Sequence, residues 1–268
     1  MTHSGDARIL RRLSSGDTDP ILVADFQAMS MSPRLSDMLS ERIQGRPVFQ
    51  IDPIGVLSGE RRYVPLPELA GACADEFQEA GAQHGRAIVV GHCSAAPLAL
   101  HVADLLAHER PVTAVLVNPT WPGNEHVTVK FDEFLAKFGP AARPAPDLND
   151  DPELVVAAMA QILLDEVTAL AASRGVSSSA GAFSDLIVWY RAWLAFLLAG
   201  RNDRQIRHTA GQAAVTVLSD SPSQVTVPGR DEHTFLVREL PPQPVGTVTP
   251  ELAEIVAERV ATNQSSIA

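Results

Sequence analysis

Residues 87–106 decide the fold: Ala87-Ile88-Val89-Val90-Gly91-His92-Cys93-Ser94-Ala95-Ala96-Pro97-Leu98, continuing through Leu106. Ala87–Val90 is an apolar, β-branched run too short for a helix, the pattern of a strand buried on both faces. Gly91-His92-Cys93-Ser94-Ala95 follows at once, and the apolar spacing after it predicts a helix to Leu106. Strand, sharp turn and helix in that order is the setting of a nucleophile elbow, in which a strained backbone lifts the central side chain above the sheet. The outer positions must be small because neighbouring backbone crowds them. Gly91, Ala95 and Ala96 meet that need, and Cys93 holds the centre.

Working outward, the same strand signature recurs at Pro20–Ala24, Pro47–Ile51 and Val112–Val117, with an amphipathic helix over Leu66–Gln83. It returns at Ala213–Leu218 and Thr234–Arg238, and a last helix spans Thr249–Val260, with Thr249 as N-cap and Pro250 at the first helical position. Strands alternating with helices, each strand an unbroken apolar run, predict an α/β fold with a mostly parallel central sheet covered on both faces. Between about Thr128 and Arg207 the apolar residues recur only at helical spacing, with helices near Asp151–Ala172 and Phe183–Leu198. The expected organisation is a polar N-terminal segment (1–19), a first part of the core (20–127), a helical lid (128–210) and a second part of the core (211–268). Gly175–Gly181 (GVSSSAG) reads as a joint inside the helical insertion.

The 268 residues carry a formal charge of −11 with 5% aromatics and no concentrated basic patch, so nucleic acid is not an expected partner. Ile187–Leu198, interrupted by Arg191, is the longest apolar candidate noted, well short of the roughly 20 residues that cross a bilayer, so no membrane is expected. No apolar h-region follows the basic residues of the N-terminus, and a cytoplasmic protein is expected. Cys73 and Cys93 show no metal-ligand or disulfide pattern and are read as thiols. Cys73 lies mid-helix and reads as a small buried hydrophobe. Without a GxGxxG, a P-loop or a ligand cluster, no cofactor and no metal is implied.

The chain resembles the thioesterase superfamily of α/β-hydrolases that serves polyketide and nonribosomal peptide synthases. The resemblance runs from about Ile9 to Val260 and is carried by the lead-in Arg8–Leu13, ILVADF, Phe49–Gly55, IVVGHCSAAPLALHVADLL, AVLVNPTWPG, VTVLSD and FLVRELP. It implies an α/β-hydrolase fold with a helical lid and makes Cys93 the nucleophile where the family usually has Ser. The catalytic Asp of many members falls on Asn118; other members place the acid one strand later, which falls on Asp220. The family's His follows the last strand, where this chain has Glu239-Leu240-Pro241-Pro242-Gln243-Pro244 and no His. His233 precedes that strand and should emerge at the opposite edge of the sheet. An oxyanion hole in this fold takes the backbone N–H after the nucleophile, Ser94, and one from the loop after the first core strand, Phe26 or Gln27. His92, Trp121, Trp189 and Trp193 are the expected substrate contacts, though an aromatic stripe such as Trp189, Tyr190, Trp193 and Phe196 also reads as core packing.

A serine needs its base, whereas a cysteine has a few per cent thiolate unaided. With no His to activate water, the resemblance implies acyl transfer or Dieckmann-type ring closure from a phosphopantetheine-bound acyl or peptidyl carrier protein through acyl-Cys93. Hydrolytic editing of carrier proteins, and a non-covalent relative that binds and shapes an intermediate, remain the alternatives. Arg201, Arg204 and Arg207 read either as a contact for an acidic carrier domain or as a solvated basic turn.

Overall fold

The computed structural model describes residues 8–26, 33–59, 61–81, 85–139, 143–175, 183–203, 213–243 and 247–262. The chain divides into two compact units: an α/β unit of 8–52, 66–121 and 206–268, and a helical unit of 1–7, 53–65 and 122–205.

The α/β unit is a seven-stranded sheet of β1 (Leu10–Arg12), β2 (Ile21–Ala24), β3 (Val48–Ile51), β4 (Ala87–His92), β5 (Val112–Val117), β6 (Ala214–Ser219) and β7 (Phe235–Glu239). The strand order is β1-β3-β2-β4-β5-β6-β7. Every pairing is parallel except β1 with β3. The strands β2, β3 and β4 are buried at every residue, which is why their sequences are continuous apolar runs rather than alternating ones.

Alternation appears instead in which layer each side chain enters. Ile21, Val23, Ile88, Val90, Val115 and Val117 join one apolar cluster with α1 (Leu35–Arg42) and the α8 helix (Pro250–Thr262), which closes the chain. The helices α3 (Leu66–Glu79) and α4 (Ala96–Leu106) pack together, and α4 lies on β4 and β5. The result is an α/β-hydrolase sheet with helices over both faces, as the strand pattern predicts.

The strand β1 stands within the polar segment 1–19. It has only three residues, and Arg11 and Arg12 point outward, so its pattern is too short to read. Glu76 of α3 secures this end, its carboxylate accepting the backbone N–H of Ile9 at 3.0 Å and Leu10 at 2.9 Å.

The helical unit holds α2 (Ile54–Leu57), α5 (Asn124–Ala136), α6 (Pro152–Ser173) and α7 (Ser184–Asp203). Asp151 caps α6, its carboxylate accepting from the N–H groups of Glu153 and Leu154. In α7, Tyr190 stacks on Phe134 with ring centroids 4.1 Å apart, and Trp189 stacks on Trp193 at 6.2 Å.

Two sequence expectations are corrected in this unit. The helix α6, not Ile187–Leu198, is the longest apolar segment, and among the described residues it is long and apolar enough to cross a membrane. Gln161, Asp165 and Glu166 interrupt it, which hides that length from a search for unbroken apolar runs. Its buried residues Val155, Val156, Met159, Leu163 and Val167 lie on one side, and the helix packs against α7. Arg201, in turn, is no surface cation. It is 5% exposed, and its guanidinium donates to Asn124 Oδ1, the Leu148 carbonyl, Asn149 Oδ1 and Asn202 Oδ1. Buried charge needs such partners, and here they tie α7 to α5 and to the approach to α6. Arg204, Arg207 and most of the GVSSSAG joint lie outside the described residues.

Candidate active site

At the end of β4 the chain turns through a single 3₁₀ turn, Cys93–Ala95, before α4 begins. Cys93 has φ of 53°, in the left-handed region that a non-glycine residue adopts only where its surroundings hold it there. This is the strained elbow that the sequence pattern predicts. Crowding at its base is measurable at Gly91: a Cβ there would sit 2.6 Å from Ala99 Cβ and 2.9 Å from Ala96 Cα. Any side chain at 91 would therefore push the helix off the strand, and the glycine there is a steric requirement.

Cys93 opens onto a cleft of about 340 Å³ built entirely from the α/β unit. The cleft is lined from the C-terminal ends of the strands: His92 and Cys93 after β4, Asn118 to Trp121 after β5, Ser219 to Ser221 after β6, and Gln243 and Thr247 after β7. In an open parallel sheet this edge is where ligands bind.

Thr120 is the polar neighbour of the sulfur, with Oγ1 3.6 Å from Cys93 Sγ, and its backbone N–H donates to the Cys93 carbonyl at 3.1 Å. Asn118 also has a left-handed backbone, φ 42°, held by its N–H donating to the Leu218 carbonyl at 2.8 Å. Its side chain forms a closed pair with Asp220. Asn118 Nδ2 donates to Asp220 Oδ2 at 3.3 Å, and the Asp220 N–H donates to Asn118 Oδ1 at 3.0 Å. The Ser221 hydroxyl donates to the other carboxylate oxygen at 3.2 Å. Trp121 is fixed across the cleft by its indole N–H donating to the Thr226 carbonyl at 2.7 Å.

His92 is 8% exposed, and burial pushes its pKa down to about 4, so its imidazole is neutral and a weak base near neutral pH. His233 is exposed ahead of β7, at the opposite edge of the sheet from Cys93, as expected from strand direction. His126 belongs to the helical unit, where its Nδ1 accepts the Gly123 N–H at 3.4 Å. Cys73 is fully buried, and burial raises its thiol pKa far above the usual range, leaving it inert.

Of the expected oxyanion donors, Ser94 is the second residue of the 3₁₀ turn, where an N–H has no acceptor within its own helix. Phe26 follows β2 by two residues, and the last pairing of β2 with β4 is Ala24 with Gly91, two residues before Cys93. Gln27 lies outside the described residues. Just before Phe26, Asp25 is 1% exposed and accepts the Ser36 N–H at the start of α1 at 2.6 Å. Trp189 and Trp193 belong to the helical unit; Trp193 is buried there, as are Tyr190 and Phe196.

Several cleft residues escape a sequence reading. Thr120 lies within the NPTWPG segment, but nothing in that segment shows that its hydroxyl comes to Cys93. Gln243 sits in the ELPPQP segment, where the resemblance draws attention to a missing His and not to the amide that is present.

The family model described as the alpha/beta hydrolase family matches residues 22–245, and the chain belongs to that family. No curated protein matches the sequence. Among solved structures, a four-domain nonribosomal peptide synthetase bound to AMP and glycine aligns with TM-score 0.63 and 17% identity over 97% of this chain and 20% of its own. This chain therefore spans about a fifth of that synthetase. The Vlm2 thioesterase domain bound with a dodecadepsipeptide aligns with TM-score 0.51 and 14% identity over 96% of this chain and 97% of its own. A thioesterase from the prodiginine pathway of Streptomyces coelicolor, RedJ, aligns with TM-score 0.51 and 18% identity over 93% and 95%. These likenesses show the same α/β-hydrolase fold.

Proposed function

We propose that the protein takes an acyl group from a carrier-protein phosphopantetheine thioester onto Cys93 and passes it to a nucleophile other than water, by transfer or by ring closure within the substrate. The carrying observation is the elbow: a cysteine held at φ 53° over an open cleft in which, among the described residues, the imidazole is that of the buried His92. In the first step the Cys93 sulfur bonds to the acyl carbon, the pantetheine sulfur leaves, and the thiol proton ends on the departing thiol. One thioester replaces another, so the exchange is close to thermoneutral. In the second, an amine or carbon nucleophile of the substrate bonds to the acyl carbon, the Cys93 sulfur leaves, and the proton given up by the nucleophile ends on the Cys93 thiol. The backbone N–H groups of Ser94 and Phe26 serve the oxyanion in both steps.

Asn118 and Asp220 hold the rim: their closed pair fixes the left-handed turn after β5, from which Thr120 reaches the sulfur. His92 and Trp121 line the substrate space. The fold likeness to thioesterase domains of synthetase systems supports the carrier-protein partner.

The test is intact-protein mass spectrometry after exposure to an acyl-pantetheine, with wild type and Cys93→Ala compared. A mass increase equal to the acyl group in wild type alone is expected. An unmodified wild type, or an adduct that survives in Cys93→Ala, overturns the proposal. In the latter case the cleft is a scaffold without covalent chemistry at this residue.

A further inference from the structure

We propose that Thr120 is a catalytic residue of this site, its hydroxyl donating a hydrogen bond to the Cys93 sulfur whenever that sulfur carries negative charge. The proposal deepens the acyl-Cys93 reading and rests on it for the reaction served. Thr120 Oγ1 lies 3.6 Å from Cys93 Sγ, within reach of a hydrogen bond to sulfur. Among the described residues neither atom has another hydrogen-bond partner. The two residues also meet through the backbone, where the Thr120 N–H donates to the Cys93 carbonyl at 3.1 Å. Left-handed backbone sets both sides of the contact, with φ 53° at Cys93 and 42° at Asn118, two residues before Thr120. The approach of the loop after β5 to the elbow therefore does not depend on the hydroxyl alone.

The direction of the side-chain bond follows from the charge on sulfur. A thiol is a weak donor and a weak acceptor, so the Thr120 hydroxyl can face it either way. A thiolate has no hydrogen to give, and the hydroxyl must then be the donor. Hydrogen bonds to an ionised acceptor are roughly twice as strong as those between neutral groups, so the contact strengthens as the proton leaves and favours thiolate over thiol. In acyl exchange the sulfur is negative when it attacks the incoming thioester and again when the substrate's nucleophile expels it. The hydroxyl serves it on both occasions. Thr120 supplies hydrogen bonding only, because its hydroxyl takes up no proton near neutral pH. Both residues are half-buried, so water shares the task, and the bond should be worth about tenfold in thiolate population, or about 1.4 kcal/mol.

The experiment is the rate of reaction of Cys93 with dipyridyl disulfide in wild type, Thr120→Val, Thr120→Ala and Thr120→Ser, from about pH 5 to about pH 10, a span that brackets ordinary thiol ionisation. The Cys93 thiolate bonds to one reagent sulfur, the reagent's S–S bond breaks, and the departing half takes up a proton to give the absorbing pyridinethione. Cys73 is fully buried, and Cys93→Ala supplies the blank. Valine keeps the shape of threonine and removes the hydroxyl. The inflection of its profile should lie about 1 pH unit above that of wild type. Thiolate nucleophilicity rises with basicity with an exponent of about 0.4–0.5, so a tenfold change in ionisation leaves the unsupported thiolate about threefold more reactive. Wild type should therefore react about threefold faster below both inflections, and Thr120→Val about threefold faster above them. This crossing marks charge stabilisation, because a displaced sulfur reacts more slowly at every pH. Thr120→Ser keeps a hydroxyl and should restore the wild-type profile, and Thr120→Ala repeats the loss should valine disturb the fold. Coincident profiles overturn the proposal, as does a Thr120→Val profile lowered by one factor throughout, or a Thr120→Ser profile matching that of valine. Shifted profiles without an acyl adduct from acyl-pantetheine overturn the acyl-Cys93 reading and uphold the donation by Thr120.

Discussion

Replacing Asp25 by asparagine should stabilise the α/β unit, and only above about pH 6. Asp25 leaves the end of β2 with 1% of its surface exposed, and burial pushes its pKa up to about 6 from an ordinary 3.8. The Ser36 N–H and the nearby Arg34 charge oppose that rise without cancelling it. A carboxyl whose pKa is raised by folding binds its proton more tightly in the native state than in the unfolded chain. Between about pH 4 and pH 6 the native state therefore holds more protons, and stability falls as pH rises through that window. Above it the full penalty is present, about 3 kcal/mol at 1.36 kcal/mol per unit. An asparagine side chain at this position would keep an oxygen for the Ser36 N–H and carry no charge. Gln50 Nε2, which now faces Asp25 Oδ1 at 3.5 Å, can reverse its amide to suit.

The assay is urea unfolding of wild type and Asp25→Asn at about pH 7.5 and about pH 4. The variant should gain about 3 kcal/mol at the higher pH, worth roughly 6–12 °C in melting temperature for a unit of this size. At the lower pH, where both side chains are neutral, the difference should shrink below about 0.5 kcal/mol. A gain independent of pH, or a loss at pH 7.5, would refute the reasoning. Because Asp25 adjoins Phe26, the strain it stores is the cost of anchoring the candidate oxyanion loop to α1 by a carboxylate.

Gly91→Ala forces a Cβ to within 2.6 Å of Ala99 Cβ; it should cost about 1–3 kcal/mol in urea unfolding and slow alkylation of Cys93 by iodoacetamide as the elbow shifts. Cys93→Ser keeps the shape of the site but demands a base for its hydroxyl, so acylation by acyl-pantetheine should fall at least about 100-fold in a stopped mass-spectrometric time course. Arg201→Met leaves the Leu148 carbonyl and the three asparagine oxygens without their donor, and should destabilise the helical unit by about 3 kcal/mol in thermal unfolding.

The sheet was legible because parallel strands buried on both faces are largely apolar, so ILVA, VFQI and AIVV stand out without any alternation to detect, Gln50 being the one polar residue among them. The elbow was legible for a related reason: its steric demands fall on residues adjacent in sequence, 91 to 96. The rest of the site is set by proximity that sequence order does not carry. Thr120 meets Cys93 from 27 residues away, and Asn118 meets Asp220 from 102. Arg201 misleads for the opposite reason, since nothing in its local sequence shows that three asparagines converge on it.

The Asn118–Asp220 pair also explains why two acid positions come to hold a single carboxylate. They end neighbouring strands, β5 and β6, whose register pairs Val117 with Leu218, and their side chains meet at 3.3 Å. Aspartates at both positions would put two like charges at that separation, costing about 1 kcal/mol even at the dielectric constant of water because the rim is solvated. Asn118 avoids the repulsion and turns the contact into a donor–acceptor ring. Asn118→Asp breaks that ring: Oδ1 can still accept the Asp220 N–H, but the donor to Asp220 Oδ2 is gone. One of the paired carboxyls should then titrate above the ordinary range. An acid with a raised folded pKa stabilises the fold least when ionised, so the variant should be about 1–2 kcal/mol less stable than wild type at pH 7.5, and the deficit should diminish as pH falls toward 4. Urea midpoints across that range measure it. A deficit that stays constant with pH would show that the two side chains do not share charge, and that the ring contributes only its hydrogen bonds.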